Sequence, residues 1–293
     1  MQEDACGFVG ANAWMIDGAT SLLEPLGLPA ASDPSWLAQT LSAALAEAAY
    51  AGALRAAGPE ERVGTRGLLA RGLITVDRTG GPLVGAERVR FPSAAVSVAH
   101  LHDDGVEVLS LADCHVVVEL ADGGVEHVMS ELADVRVQRK LEPAPGAHDP
   151  AERSRLLRAD RERRNTAEGL WVARREPEAA AHAFVAQLGP PALLVMASDG
   201  AWRAVDLGLV AGPEEFLRRV ADPVAALELM HRLRSHQRDI GEAADDATVL
   251  VVEPADQDQD VTRADGLQRL PTVRACAGGW RSRPSPRPAA RPR

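Results

Sequence analysis

Aromatic side chains are scarce in this chain, at 3% of 293 residues, although 46% of the residues are hydrophobic. That scarcity excludes a core of stacked Phe and Tyr, so the interior has to be close-packed from Val, Leu and Ala. Cysteine is nearly absent too. Cys6, Cys114 and Cys276 stand far apart, match no disulfide or zinc spacing, and are expected to be small buried or incidental thiols. The opening MQEDACG lacks the basic and apolar regions of a secretory signal, and no apolar run reaches membrane-spanning length, so a cytoplasmic location is expected. Positive charge is short over most of the chain: the net charge is −10, and because the segment from Ala255 onward holds eight Arg against four Asp, residues 1–254 carry −14. Such a body disfavours nucleic acid and anionic membranes as partners, because neutralising phosphates takes clustered cations. It would draw divalent cations instead.

Four aspartates at the ends of strand-like runs are the most informative residues present: Asp17 in WMIDGAT, Asp113 in LSLADCH, Asp199 in LLVMASDGAW and Asp245 in ADDATVLVV. In three of them an apolar run ends at the Asp, and in the fourth the acidic pair precedes one. Strand ends are where a sheet gathers distant carboxylates, and carboxylates so gathered repel one another unless cations sit between them. Hard oxygen ligands select Mg²⁺ or Mn²⁺ over zinc. A lone Asp-Gly pair is more often a turn, and a lone strand-end Asp such as Asp113 can serve nearby backbone N–H groups, so the ordered set carries the weight.

The remaining pattern predicts α+β layers. Two short strands are expected over 5–17 around Gly10-Ala11-Asn12, then a long helix over 34–57 capped by Asp33, with a further helix over 59–72. Between Ala94 and Met129, four β runs separated by turns such as Asp103-Asp104-Gly105 and Asp122-Gly123-Gly124 read as an antiparallel meander. Helices are expected over 148–168, 177–188, 213–221 and 223–238, with strands over 192–197 and 247–253. This mixture of antiparallel strands and helical blocks favours α+β over a doubly wound sheet. His100, His102, His115 and His127 lie in or beside the hairpins, have no metal-site spacing and are expected to face solvent or to pack on the hairpins. Trp14, Trp36, Trp171 and Trp202 are expected in the core. From residue 255 to 293 Pro and Arg dominate, a disordered tail by composition whose DQDQD start lacks the Gly and closing Glu of an EF-hand loop. The tail could bind SH3-like modules, acidic partners or nucleic acid, but such tails are usually inert.

Over about residues 2–254 the order of segments resembles the type 2C metal-dependent Ser/Thr protein phosphatases, the PPM family, in its bacterial branch. QEDA resembles the family's opening Asn-Glu-Asp strand, WMIDGAT its Asp-Gly strand end, LSLADCHVVVELADGG its Gly-Asp-Ser-Arg hairpin, ASDGAW its Ser-Asp-Gly-Leu-Trp and DDATVLVV its Asp-Asn-Ala-Thr-Val strand. The resemblance implies a phosphatase domain over 1–254 built as a four-layer α-β-β-α sandwich, two central antiparallel sheets flanked by helices. It also implies two, or with an accessory site three, Mn²⁺ or Mg²⁺ ions that activate a water for in-line attack on a phosphomonoester. Asp17 and Asp199 would be the central catalytic carboxylates, with Asp17 bridging two ions and the Gly18 carbonyl binding one. Asp199 and Asp245 would complete the first shell, Glu3 and Asp4 would reach metal waters, and Asp113 with Asp199 would form the accessory site. Asp246 competes with Asp245 for its role. The implied substrates are phosphorylated Ser/Thr proteins, opposing a kinase in signalling, or small phosphoesters.

Four departures stand out. No Arg precedes the first acidic strand to grip phosphate, where Gln2 replaces the usual Asn; Ala19 replaces the His of eukaryotic members; Thr20-Ser21 replaces glycines; and Ala112 replaces the hairpin Gly. They leave a second reading open, a phosphatase-like module of weak or no turnover that acts as a regulatory binding protein.

Overall fold

The computed structural model describes residues 2–21, 24–55, 64–85, 88–130, 150–254 and 272–277. Strands β1 (Ala5–Val9) and β2 (Asn12–Gly18) form a hairpin, and helices α1 (Asp33–Arg55) and α2 (Thr65–Val84) follow. Then come β3 (Ala94–His102), β4 (Gly105–Leu111), β5 (His115–Leu120), β6 (Val125–Val128), helix α3 (Pro150–Arg163), β7 (Phe184–Leu188) and β8 (Pro191–Ala197). Helices α4 (Asp199–Asp206), α5 (Pro213–Ala221) and α6 (Pro223–Ile240) lead to β9 (Thr248–Glu253) and β10 (Thr272–Ala277). One sheet runs β1-β2-β3-β4-β7 and the other β10-β9-β8-β5-β6, and their paired strands are antiparallel.

Period-two alternation sorts each strand's side chains into layers. On β2, Trp14 and Ile16 pack with Leu37, Leu41 and Leu45 of α1 and Leu69 and Leu73 of α2, whereas Ala13 and Met15 face the opposite sheet. On the second sheet, Val116, Val118, Leu194, Met196, Leu250 and Val252 turn inward, and Val117, Val195, Val249 and Val251 pack under Trp202, Phe216, Leu229 and Leu233. The result is the expected four-layer α-β-β-α sandwich. Between the sheets the filling is Ala, Val, Leu, Met and Cys with no aromatic ring. The indole of Trp14, 1% exposed, donates from Nε1 to Ser42 Oγ at 2.9 Å and so fixes α1 on its sheet.

Several expectations need correction. Residues 177–188 are not one helix. Pro177–His182 form a short 3-10 helix, and Phe184–Leu188 pair along β4, with Ala186 opposite Val108. Strand pairing outweighs the local helical signal of the Ala-rich stretch. The meander is two hairpins in two different sheets, because the chain crosses from β4 to β5 through Ala112-Asp113-Cys114. Asp33 does not cap α1. Ser32 does, accepting from Ser35 N–H at 3.2 Å, while Asp33 accepts from Leu26 N–H at 2.7 Å and holds the preceding loop. Of the two alternatives expected for it, His115 takes the packed one: it is buried and stacked against Trp202 with ring centroids 4.2 Å apart. Within the segment expected to be disordered, Thr272–Ala277 pair along β9; the rest of that segment lies outside the described residues, as does part of the 34–57 and 59–72 helix expectations. Among the described residues no helix is long and apolar enough to cross a membrane.

Candidate active site

Strand register brings the acidic segments to one end of the sandwich. Ala5 lies opposite Ile16, Gly18 opposite Ala94, and Leu111 opposite Val96, so the start of β1 and the ends of β2 and β4 coincide. In the second sheet His115 lies opposite Ala197, itself opposite Val249, which aligns the start of β5, the end of β8 and the start of β9. Glu3, Asp4, Asp17, Gly18, Asp113, Asp199, Asp245 and Asp246 all belong to these junctions.

Close backbone approach locks the junctions together. Asp199 N–H donates to Asp17 Oδ2 at 3.0 Å, across the two sheets. Glu3 N–H donates to Asp246 Oδ2 at 2.5 Å, tying the segment before β1 to the segment before β9. The Glu3 carboxylate accepts from Ser32 Oγ at 2.6 Å and from Thr20 Oγ1 at 3.1 Å. A Cβ at Gly18 would overlap the Glu3 carbonyl, and one at Gly200 would overlap the Asp246 carbonyl, so both Asp-Gly pairs need their glycine for space. Ser198 N–H donates to the Thr248 carbonyl at 3.1 Å and Thr248 N–H to Ser198 Oγ at 3.0 Å, which seats α4 beside β9. Asp246 is half-buried; Asp245 is exposed, accepts from Asp246 N–H at 2.8 Å, and has its carbonyl held by Arg234.

The carboxylates feel one another. Burial pushes Asp17 well above the usual carboxylate range, and the charges of Asp199, Asp4 and Asp113 push it further, against the Asp199 N–H. Burial lifts Asp4 to about 6; the hydroxyls of Thr248 and Ser198 oppose the rise, and Asp246 and Asp245 add to it. The buried Cys114 thiol is raised well above its ordinary value by burial and by Asp17, Asp113, Asp4 and Asp199, which keeps it protonated. Among the described residues no three Asp, Glu, His or Cys side chains are close enough to hold one ion. The donor set nevertheless fits a hard divalent cation. Asp4 Oδ2 is buried with no hydrogen-bond partner, and the mutual repulsion is of the kind a cation relieves. A cavity of about 400 Å³ over α1 and α2, lined by Trp36, Thr40 and Thr75 among others, involves none of these residues.

Sequence reasoning missed the cations at this end. Arg161 donates to the Thr20 carbonyl, and Arg164 Nη1 donates to Ser93 Oγ at 2.6 Å. Their only local signal was an Arg-rich helix, whose contacts are set by tertiary packing.

No protein-family model and no curated protein matches the chain. Among solved structures it is similar to the Ser/Thr phosphatase Stp1 from Staphylococcus aureus, with 13% identity over 87% of this chain and 90% of that chain and a TM-score of 0.51. It is similar also to a bacterial serine phosphatase, with 14% identity over 86% of this chain and 91% of that one and a TM-score of 0.51. The architecture, two antiparallel sheets flanked by helices, is that of the PPM-type phosphatases.

Proposed function

We propose that the chain is a Mg²⁺- or Mn²⁺-dependent phosphatase that hydrolyses phosphomonoesters on Ser/Thr proteins or on small molecules. One observation carries the reading: Asp17 and Asp4 lie within electrostatic reach of Asp199, Asp113, Asp245 and Asp246 at the shared end of both sheets. The shared fold supports it only as analogy. Asp17, the Gly18 carbonyl, Asp199 and Asp245 would hold the cations, with Asp113 and Asp199 at an accessory position and Glu3 and Asp4 reaching coordinated waters. Asp246 accepts from Glu3 N–H and Asp245 from Asp246 N–H, so each keeps an oxygen for a cation; Asp245 takes the ligand role in this reading by its place in DDATV. Two divalent cations there supply an acidified water and offset charge on the phosphoryl oxygens. Cys114 stays a thiol and Ala19 carries no proton, so the departing alkoxide takes its proton from solvent.

The test is hydrolysis of p-nitrophenyl phosphate with Mn²⁺. EDTA abolishes it, and Asp199→Asn lowers the rate about a hundredfold or more. Turnover without metal, or full turnover in the variant, removes the proposal. Mn²⁺ binding with no turnover supports the regulatory module instead.

A further inference from the structure

A site lined by carboxylates repels a phosphate dianion, so holding one takes cationic side chains at its border. We propose that Arg161 and Arg164, at the end of α3, are the phosphate-gripping residues of this site. The inference rests on the phosphatase reading.

Four observations place them. Arg161 donates to the carbonyl of Thr20, three residues beyond Asp17. Arg164 donates to Ser93 Oγ at 2.6 Å, and the Ser93 carbonyl accepts from Ala19 N–H at 2.9 Å, so both guanidinium groups border the loop that leaves β2. Glu3 and Asp113 lie within electrostatic reach of Arg161 and Arg164 respectively. The Arg164 guanidinium pairs with Asp160 at 3.6 Å from Nε, and that buried Nε has no hydrogen-bond partner. Burial and the neighbouring Arg164 charge bring Arg161 down to about 10, still cationic at neutral pH, and an arriving dianion would relieve that repulsion.

The segment behind them is rigid. The Arg164 carbonyl accepts from Arg174 Nη2 at 3.1 Å, and buried Arg174 pairs with Glu176 at 2.8 Å. Asn165, at φ 57°, accepts from Val172 N–H at 2.8 Å and donates to the Val172 carbonyl at 3.1 Å. A donor pre-positioned in this way binds an anion with little ordering cost.

The experiment measures KM for p-nitrophenyl phosphate, inhibition by inorganic phosphate, Mn²⁺ saturation and melting temperature in wild type, Arg161→Gln, Arg164→Gln and Arg164→Lys. Both Gln variants are expected to raise KM and weaken phosphate inhibition about tenfold or more, with Mn²⁺ saturation and melting unchanged. Arg164→Lys should recover part of the loss. Unchanged KM and phosphate inhibition in Arg161→Gln and Arg164→Gln overturn the inference, as does a loss that tracks Mn²⁺ affinity or melting temperature. If wild type shows no Mn²⁺-dependent turnover the phosphatase reading fails, and calorimetric binding of inorganic phosphate to the same variants then decides the inference alone. Equal binding by wild type and Arg161→Gln overturns it.

Discussion

Asp199 donates its backbone N–H to the Asp17 carboxylate at 3.0 Å, so the first turn of α4, built on one sheet, is fastened to the end of β2 in the other. An Asn at position 17 can still accept that bond but carries no charge. Asp17→Asn should therefore stabilise the metal-free protein, by about 1 kcal/mol against chemical denaturation, as repulsion from Asp199, Asp4 and Asp113 is lifted. The same substitution should abolish Mn²⁺-dependent turnover.

The Asp4 carboxyl moves from an ordinary 3.8 to about 6 on folding. A raised acid holds its proton in the folded state when the unfolded chain has lost it, so its stabilising effect is complete below pH 4 and drains as pH climbs through 6. Metal-free wild type should lose stability relative to Asp4→Asn across that interval, on the order of 2 kcal/mol by pH 7 in urea titrations. Mn²⁺ should raise the wild-type melting temperature more at pH 7 than at pH 5. A wild-type curve parallel to that of the variant would contradict the assignment.

Gly200 sits where a Cβ would overlap the Asp246 carbonyl. Gly200→Ala should force α4 away from the start of β9, costing about 3 kcal/mol in urea unfolding and removing activity with it. An isosteric change one residue earlier, Asp199→Asn, should spare stability and remove activity alone.

β10 covers the edge of β9. A chain ending at Pro254 should melt below one ending at Gly278 and aggregate more readily on heating, because a bare strand edge offers unpaired N–H and C=O groups. Equal melting and light scattering in the two would show that the added strand contributes nothing.

Much of this arrangement was legible in the sequence. Apolar runs that border an acid marked β2, β8 and β9, and the helices expected over 213–221 and 223–238 are α5 and α6, the latter capped by Asp222 accepting from Ala225 N–H at 2.8 Å. What escaped depends on partners remote in sequence. Phe184–Leu188 is a strand because β4 offers a free edge, and nothing within those five residues says so. The crossing at Ala112-Asp113-Cys114 reads locally like any hairpin spacing, yet it decides that β5 joins the opposite sheet. Arg161 and Arg164 meet Thr20 and Ser93 only because the chain after α3 is pinned by Arg174 and Asn165.

The thin filling between the sheets has a consequence at a distance. Asp17 rides on one layer and Asp199 and Asp245 on the other, so the gap separating them is gauged by Ala13, Ala95 and Ala99 deep inside. A bulkier residue at any of these would act as a shim, widening the jaws of the acidic end without touching a single carboxylate.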